Sequence, residues 1–141
     1  MTISKFNGEG YKDPTSYEAL SKVVRDSEDY SYLPLVYICS PYAGEVEINV
    51  IKAKKFSRFA VNKRCIPVTP HLLYPQFMDD NNLSERNLAR HINYVLLGKC
   101  EELWVFGSVV SSGMEHEIGV AKKRNMKIKY FSEELQEVAK P

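Results

Sequence analysis

The chain has 141 residues, of which 44% are hydrophobic and 26% charged, and its formal net charge is +1. This length is sufficient for one domain with a proper core. The nearly balanced charge excludes a protein that attracts nucleic acid or an anionic membrane through a global field. The longest basic cluster, Lys122-Lys123-Arg124, is expected to close a helix, where it complements the carbonyl end.

Membrane and redox signals favour a soluble cytoplasmic protein. No apolar stretch reaches the length of a membrane span, and no signal peptide opens the sequence. Cys39, Cys65 and Cys100 are odd in number and lie in apolar surroundings, which favours reduced thiols over disulfides. The three histidines show no metal-ligand spacing, so we expect neither a metal nor another cofactor.

The first 33 residues predict a polar appendage with one helix. Asp13-Pro14 suits the N-cap and the first helical position, and an apolar stripe runs from Tyr17 to Val24 at helical spacing. A second, larger domain is predicted over residues 34–141.

That domain alternates between strand-like and helical patterns. Continuous apolar runs at Leu35–Cys39 and residues 103–106 predict strands, and the first is typical of a strand buried on both faces. A third run, Ile66–Val68, contains a proline and is predicted at a sheet edge or strand end. Residues 126–131 alternate partly and predict a strand with one exposed face.

Helical periodicity fills the intervals at residues 45–62, 82–97 and 113–124, and residues 132–141 predict a short terminal helix. In the second interval the apolar face carries Leu88, Ile92 and Val95. Strands alternating with helices imply a parallel sheet with right-handed crossovers. The predicted fold is a small three-layer, Rossmann-like (flavodoxin-like) α/β domain with about four parallel strands flanked by helices.

Three polar loops follow the predicted strands, at residues 40–44, 69–71 and 107–117. The sequence has no P-loop, dinucleotide-binding glycine fingerprint, zinc-deaminase signature or serine nucleophile elbow. Because ligands bind outside the carboxyl ends of the strands in open α/β sheets, these loops predict one pocket.

Glu117 is the most informative residue of the third loop, because it lies about one turn into the helix that the loop opens. Free N–H groups and the macrodipole favour an ionised carboxylate near a helix N-terminus. An ionised carboxylate can attack a sugar carbon. The alternative is that Glu117 only complements the helix dipole, as acids in early helix turns commonly do.

Two motifs carry a family resemblance, namely YICSPY at residues 37–42 and SGMEHEIGVA at residues 112–121. Both resemble motifs of the nucleoside 2-deoxyribosyltransferase superfamily. Within it, the chain is most similar to an uncharacterised bacterial, phage and mobile-element branch of domains of unknown function. The resemblance covers roughly residues 34–131.

The resemblance implies that Glu117 is the nucleophile that forms a glycosyl-enzyme intermediate with C1′ of deoxyribose. It implies that Tyr37 supplies the hydroxyl that orients this carboxylate. The carboxylate would attack an oxocarbenium-like centre, and water or another base would then release the sugar. The relatives pair through helices that flank the site, so the resemblance also implies a homo-oligomer, at least a dimer.

Two positions depart from the transferase pattern. Ser111 stands where the transferases carry an aspartate, whereas the related 2′-deoxynucleoside 5′-phosphate N-hydrolases have a serine that binds the 5′-phosphate. A serine at a helix N-terminus suits an anion site, and it equally suits a plain N-cap. The resemblance also places Asn93 where the relatives carry the general acid. Loss of that acid is expected to slow departure of the base by about 10²–10⁴-fold unless His91, His71 or Glu115 substitutes.

Other polar and aromatic residues complete the predicted site. His71 either bonds a phosphate or sugar hydroxyl or is a packed loop histidine. Tyr42 and Tyr74 either stack on a base or belong to the core, and His116 is expected to face solvent or a subunit interface. The predicted substrate-binding residues are Ser40, Pro41, Tyr42, His71, Asn93, Ser111, Ser112 and Gly113.

Three functions follow from these residues. The first is hydrolysis or transfer at the N-glycosidic bond of a 2′-deoxynucleoside 5′-phosphate, with Glu117 as the nucleophile. The second is a non-catalytic nucleotide-binding or sensing domain that keeps the pocket, which the loss of the acid at Asn93 favours. The third is an interaction module based on the N-terminal helix. The expected partner in the first two is a small-molecule nucleotide or nucleoside, with no nucleic acid polymer and no membrane.

Overall fold

A computed structural model of the protein describes residues 32–140. Residues 34–140 form the α/β domain. The helix predicted around Asp13-Pro14 lies outside the described residues. The strands are β1 (Leu35–Cys39), β2 (Ile66–Val68), β3 (Glu102–Phe106), β4 (Lys127–Phe131) and β5 (Glu137–Val138). The helices are α1 (Val46–Asn62), α2 (Leu83–Gly98) and α3 (Ser112–Lys123), with 3₁₀ turns at Pro70–Leu72 and Tyr74–Gln76.

The strands of the described residues form one sheet in the order β2-β1-β3-β4-β5. The first four strands in that order are parallel, and β5 pairs antiparallel with β4. The predicted α/β fold with four parallel strands is therefore confirmed. The edge position of β2, predicted from Pro67, is confirmed as well.

The terminal helix predicted over residues 132–141 is wrong. The chain instead reverses direction in a tight turn, in which the Ser132 amide donates a hydrogen bond to the Gln136 carbonyl. Leu135 has a positive φ of 69° in this turn. Glu137–Val138 then pairs with β4. The free edge of β4 offers backbone hydrogen bonds that a short, isolated terminal helix cannot match.

Two apolar clusters pack on opposite faces of the sheet, because successive side chains of a strand alternate between its faces. Helix α1 covers one face, and Phe56 stacks there on Phe106 with ring centroids 4.3 Å apart. The other cluster packs Leu97 of α2 and Met114 and Ile118 of α3. Its strand residues are Tyr37, Cys39, Leu103 and Val105. The result is the predicted three-layer arrangement, with α2 and α3 on the face that Tyr37 shares.

A local signal explains where α2 begins. The Asn82 side chain accepts a hydrogen bond from the Glu85 amide at 3.1 Å and caps α2.

The apolar face predicted for α2 is not its buried face, since Leu88 and Val95 are 50% and 46% exposed. No helix of the described residues is both long enough and apolar enough to cross a membrane.

Candidate active site

The candidate site lies at the centre of the sheet, where β1 and β3 are neighbours. The chain leaves β1 through α1 on one face and leaves β3 through α3 on the other, so a crevice opens between the two strand ends. A cavity of about 440 Å³ occupies this region. Its walls are the loops that follow β1 and β2, one face of α2 and the first turns of α3.

A contact between Tyr37 and Glu117 joins β1 to α3 inside this region. The Tyr37 hydroxyl donates a hydrogen bond to Oε2 of Glu117, as the resemblance predicts. Cys39 lies on the same face of β1, and its Sγ is 3.7 Å from Oε1 of Glu117. Tyr37 and Cys39 are fully buried, whereas Glu117 is partly exposed and lines the cavity. Each carboxylate oxygen therefore has one donor from β1.

Burial dominates the ionisation of this cluster. It raises the pKa of Glu117 from its ordinary value of 4.5 to about 7, although the hydrogen bonds from Tyr37 and Cys39 act in the opposite direction. Burial, followed by the charge of Glu117, raises the pKa of Tyr37 and of Cys39, so both remain protonated donors.

The helix dipole does not set the state of Glu117, contrary to the sequence-based expectation of a readily ionised carboxylate. Glu117 is the sixth residue of α3 and points toward β1, so it lies past the free N–H groups of the first turn. The acid in the first turn is Glu115. The alternative that Glu117 only complements the dipole therefore fails on geometry.

Ser111 both caps α3 and lines the cavity. Its Oγ accepts a hydrogen bond from the Met114 amide at 3.3 Å, which makes it the N-cap of α3. The same residue lines the cavity together with Ser112 and Gly113. Because a hydroxyl both accepts and donates, the hydrogen of Ser111 remains able to bond a ligand.

His71 is held in the wall of the cavity by Ser40. The Ser40 Oγ and His71 Nε2 atoms are 3.1 Å apart, and Ser40 is buried. The ring of Tyr42 approaches His71 edge-on, with centroids 6.1 Å apart. Burial lowers the pKa of His71 to about 4, so its imidazole is neutral at pH 7. His71 is therefore a packed, hydrogen-bonded loop histidine that also faces the cavity.

One face of α2 contributes residues that the sequence analysis missed. Arg86 and Arg90 line the cavity beside Asn93, which was predicted there. Their spacing at i, i+4 and i+7 places them on one helical face, and that periodicity was the available signal. The arginines add positive charge to a cavity that also has Asp79 and Asp80 in its wall.

Some predicted residues do not reach the cavity. Pro41, His91 and Glu115 are absent from its lining. Glu115 and His91 are exposed on α3 and α2 and do not line the cavity, so neither is placed to act as the acid that the resemblance leads one to expect. Tyr74 lines the cavity, as does His116, which is solvent-exposed as predicted.

The cysteines and histidines of the described residues hold no cross-link and no metal cluster. All three cysteines are free thiols, with Cys39 and Cys100 buried and Cys65 partly exposed. Within residues 32–140, no group of three His, Cys, Asp or Glu side chains is arranged to hold a metal ion.

The fold is that of the 2-deoxyribosyltransferases. The chain matches the structure of a 2-deoxyribosyltransferase from the psychrotolerant bacterium Bacillus psychrosaccharolyticus with a TM-score of 0.56 and 16% identity, over 75% of this chain and 77% of that one. It matches a 2-deoxyribosyltransferase from Leishmania mexicana with a TM-score of 0.53 and 17% identity, over 70% of this chain and 64% of that one. The chain thus spans less than two thirds of the Leishmania protein.

Residues 34–131 match the family described as a domain of unknown function (DUF7768), and the chain belongs to this family. No curated protein matches the chain. The family assignment covers β1 to β4 and therefore the whole candidate site.

The raised pKa of Glu117 predicts a pH-dependent stability. Its folded-state pKa, about 7, exceeds its ordinary value of 4.5, so the folded chain keeps its proton longer than the unfolded chain. The stability that this provides is complete below about pH 4.5 and is lost as the pH rises through about 7, by up to about 3 kcal/mol. Urea denaturation of the wild type and Glu117→Gln should therefore show a wild-type stability that falls, relative to the variant, between about pH 5 and about pH 8. A stability difference that is the same at both pH values contradicts the prediction.

Proposed function

We propose that the protein hydrolyses, or transfers the sugar at, the N-glycosidic bond of a 2′-deoxynucleoside 5′-phosphate. The observation that supports this most strongly is the hydrogen bond from the buried Tyr37 hydroxyl to Glu117 at the wall of the cavity. The cavity volume of about 440 Å³ lies within the range of small-molecule sites. The fold shared with 2-deoxyribosyltransferases agrees with this chemistry.

Glu117 is the nucleophile in this proposal. Its carboxylate oxygen forms a bond to C1′ while the bond from C1′ to the base nitrogen breaks, and the base departs with the electron pair. Water then attacks C1′ and releases the sugar phosphate, or a second base attacks and completes a transfer. Attack requires the ionised carboxylate, and a group with a pKa of about 7 is ionised in about half of the molecules at pH 7.

Protonation of the departing base is the weak step of this proposal. Asn93 cannot act as an acid, and His71, with a pKa of about 4, is already neutral at pH 7. This observation favours a second candidate function, a nucleotide-binding or sensing domain that does not turn its ligand over. The retained pair of Tyr37 and Glu117 favours catalysis.

The 5′-phosphate is proposed to bind at the start of α3. The Ser111 hydroxyl and the free amides of Ser112 and Gly113 are suited to an anion, and all three residues line the cavity. Arg86 and Arg90 provide positive charge in the same cavity. These groups support a phosphorylated ligand over a free nucleoside.

The location and assembly of the protein also remain proposals. We propose a homo-oligomer, for which the exposed Leu88 and Val95, with the partly buried Ile92 between them on α2, offer an apolar surface. We further propose that residues 1–33 form a separate appendage and that the protein is cytoplasmic.

The direct test of the proposed function is Glu117→Gln. The wild type, incubated with the four 2′-deoxynucleoside 5′-monophosphates, should release free base, measured by chromatography. Glu117→Gln should release none yet bind the nucleotides within about twofold of the wild type, since it loses charge at the reacting atom but keeps its shape. Glu115→Gln, which changes an exposed residue of the same helix outside the cavity, should behave as the wild type.

The same assay separates the two candidate functions. A wild type that binds the nucleotides but releases no base over long incubation supports the binding domain. A wild type that binds none of them contradicts both hypotheses.

Ser111→Asp tests the phosphate site without removing the helix cap, because aspartate caps helices as well as serine does. The negative charge of the aspartate should repel the 5′-phosphate. The hydrogen bond from the Ser111 hydroxyl to the phosphate is also lost, which weakens binding further. We expect the affinity for 2′-deoxynucleoside 5′-monophosphates to fall by about tenfold to a hundredfold. Calorimetric titration with the corresponding unphosphorylated nucleosides is the control and should show little change. Equal losses for both ligand classes exclude a phosphate contact at Ser111.

Asn93→Asp tests whether the rate of base release is limited by the lack of a general acid at residue 93. An aspartic acid beside the departing base can supply a proton, so the rate of base release should rise, by up to about 10²–10⁴-fold. Asn87→Asp adds the same charge to the exposed side of α2, outside the cavity, and should leave the rate unchanged. If both variants release base at the wild-type rate, residue 93 is not in position to serve the leaving group.

A further inference from the structure

We propose that Cys39 is a positioning residue: its thiol holds one carboxylate oxygen of Glu117 while Tyr37 holds the other. This inference rests on the proposed role of Glu117 as the nucleophile and adds a residue to it. The resemblance to the superfamily assigns a role to Tyr37 and none to Cys39.

The geometry comes from the alternation of β1. Tyr37 and Cys39 are two residues apart, so both side chains project from the same face of the sheet toward α3. The Tyr37 hydroxyl contacts Oε2 of Glu117, and the Cys39 Sγ is 3.7 Å from Oε1. One donor per oxygen restrains the rotation of the carboxylate as well as its position, which a single donor cannot do.

The alternative acceptor for the thiol is the backbone carbonyl of Met114. Its oxygen is 4.0 Å from the Cys39 Sγ, farther than Oε1 of Glu117. A charged acceptor also forms the stronger hydrogen bond. Burial keeps the thiol protonated by raising its pKa, so the contact is S–H to oxygen and not a repulsion between two anions.

Other titratable groups share the cavity with Glu117 from every surrounding element. They are Tyr42 on the loop after β1, His71 and Tyr74 on the 3₁₀ turns after β2, Asp79 and Asp80 before α2, Glu85, Arg86, Arg90 and Tyr94 on α2, and His116 on α3 itself. The pKa of Glu117 nevertheless responds only to burial and to the hydrogen bonds from Tyr37 and Cys39. Removal of the thiol should therefore have a measurable and specific effect.

The experiment measures the Glu117 carboxyl pKa by ¹³C NMR in the full chain. Cys39→Ala removes a donor that favours the ionised form of Glu117, so the pKa of Glu117 should rise. We expect a rise of about half a unit, because an S–H group is a weak donor. Cys39→Ser restores a donor and should bring the value back toward the wild type. Cys100→Ala removes another buried thiol from the same apolar cluster, and this thiol contacts the Leu96 carbonyl. It should leave the Glu117 pKa unchanged.

A second measurement relates the contact to the reaction. The rise of kcat/KM with pH reports ionisation of the nucleophile in the free enzyme. In Cys39→Ala this rise should shift to higher pH in parallel with the NMR value, and in Cys100→Ala it should not shift.

The outcomes separate this inference from the proposed function. An unchanged Glu117 pKa in Cys39→Ala, with base release intact, overturns the role of Cys39 and leaves the function standing. An NMR shift in a protein that releases no base supports the contact, while the proposed function fails. Equal shifts in Cys39→Ala and Cys100→Ala indicate a general loosening of the core and overturn the inference.

Discussion

The hydrogen bond from Tyr37 to Glu117 is the contact on which the rest of the site depends. It fixes α3 against β1, and α3 in turn sets the position of its capping residue Ser111 at the cavity. The contact exists because β1 and β3 are neighbours in the sheet, so that the helix after β3 lies across the face of β1. The strand order that defines the fold therefore also assembles the site.

A carboxylate beside neutral donors is an uncommon solution. Buried acids are usually stabilised by a cation, whereas the Glu117 carboxylate accepts hydrogen bonds from a phenol and a thiol. Neutral donors hold the carboxylate in place without adding an opposite charge, so the ionised form keeps its full negative charge. The fold must accommodate a poorly solvated acid in the wall of the cavity, which lowers its stability when the acid is ionised. Such conflicts between stability and function are typical of functional sites.

The sequence predicted the features that repeat locally. The apolar runs of β1 and β3 indicated strands. The contact between Tyr37 and Glu117 joins distant residues, and it was predicted only because the motifs around both residues resemble those of one superfamily. Without such a resemblance, distant contacts are not visible in the sequence. The sequence could not predict features that depend on distant partners. The terminal helix was wrong because the open edge of β4 cannot be seen in residues 132–141. The raised pKa of Glu117 was missed because dipole arguments are local, whereas burial is a property of the whole fold.

The two edges of the sheet have a consequence for how the protein meets other molecules. β2 is only three residues long and has Pro67 in its middle, which lacks an amide hydrogen, and β5 is shorter still. Within the described residues, neither edge is a good template for an added strand, a feature by which natural proteins avoid continuous intermolecular sheets. A partner that docks on this part of the chain must therefore recognise helices and side chains and cannot simply extend the backbone ladder.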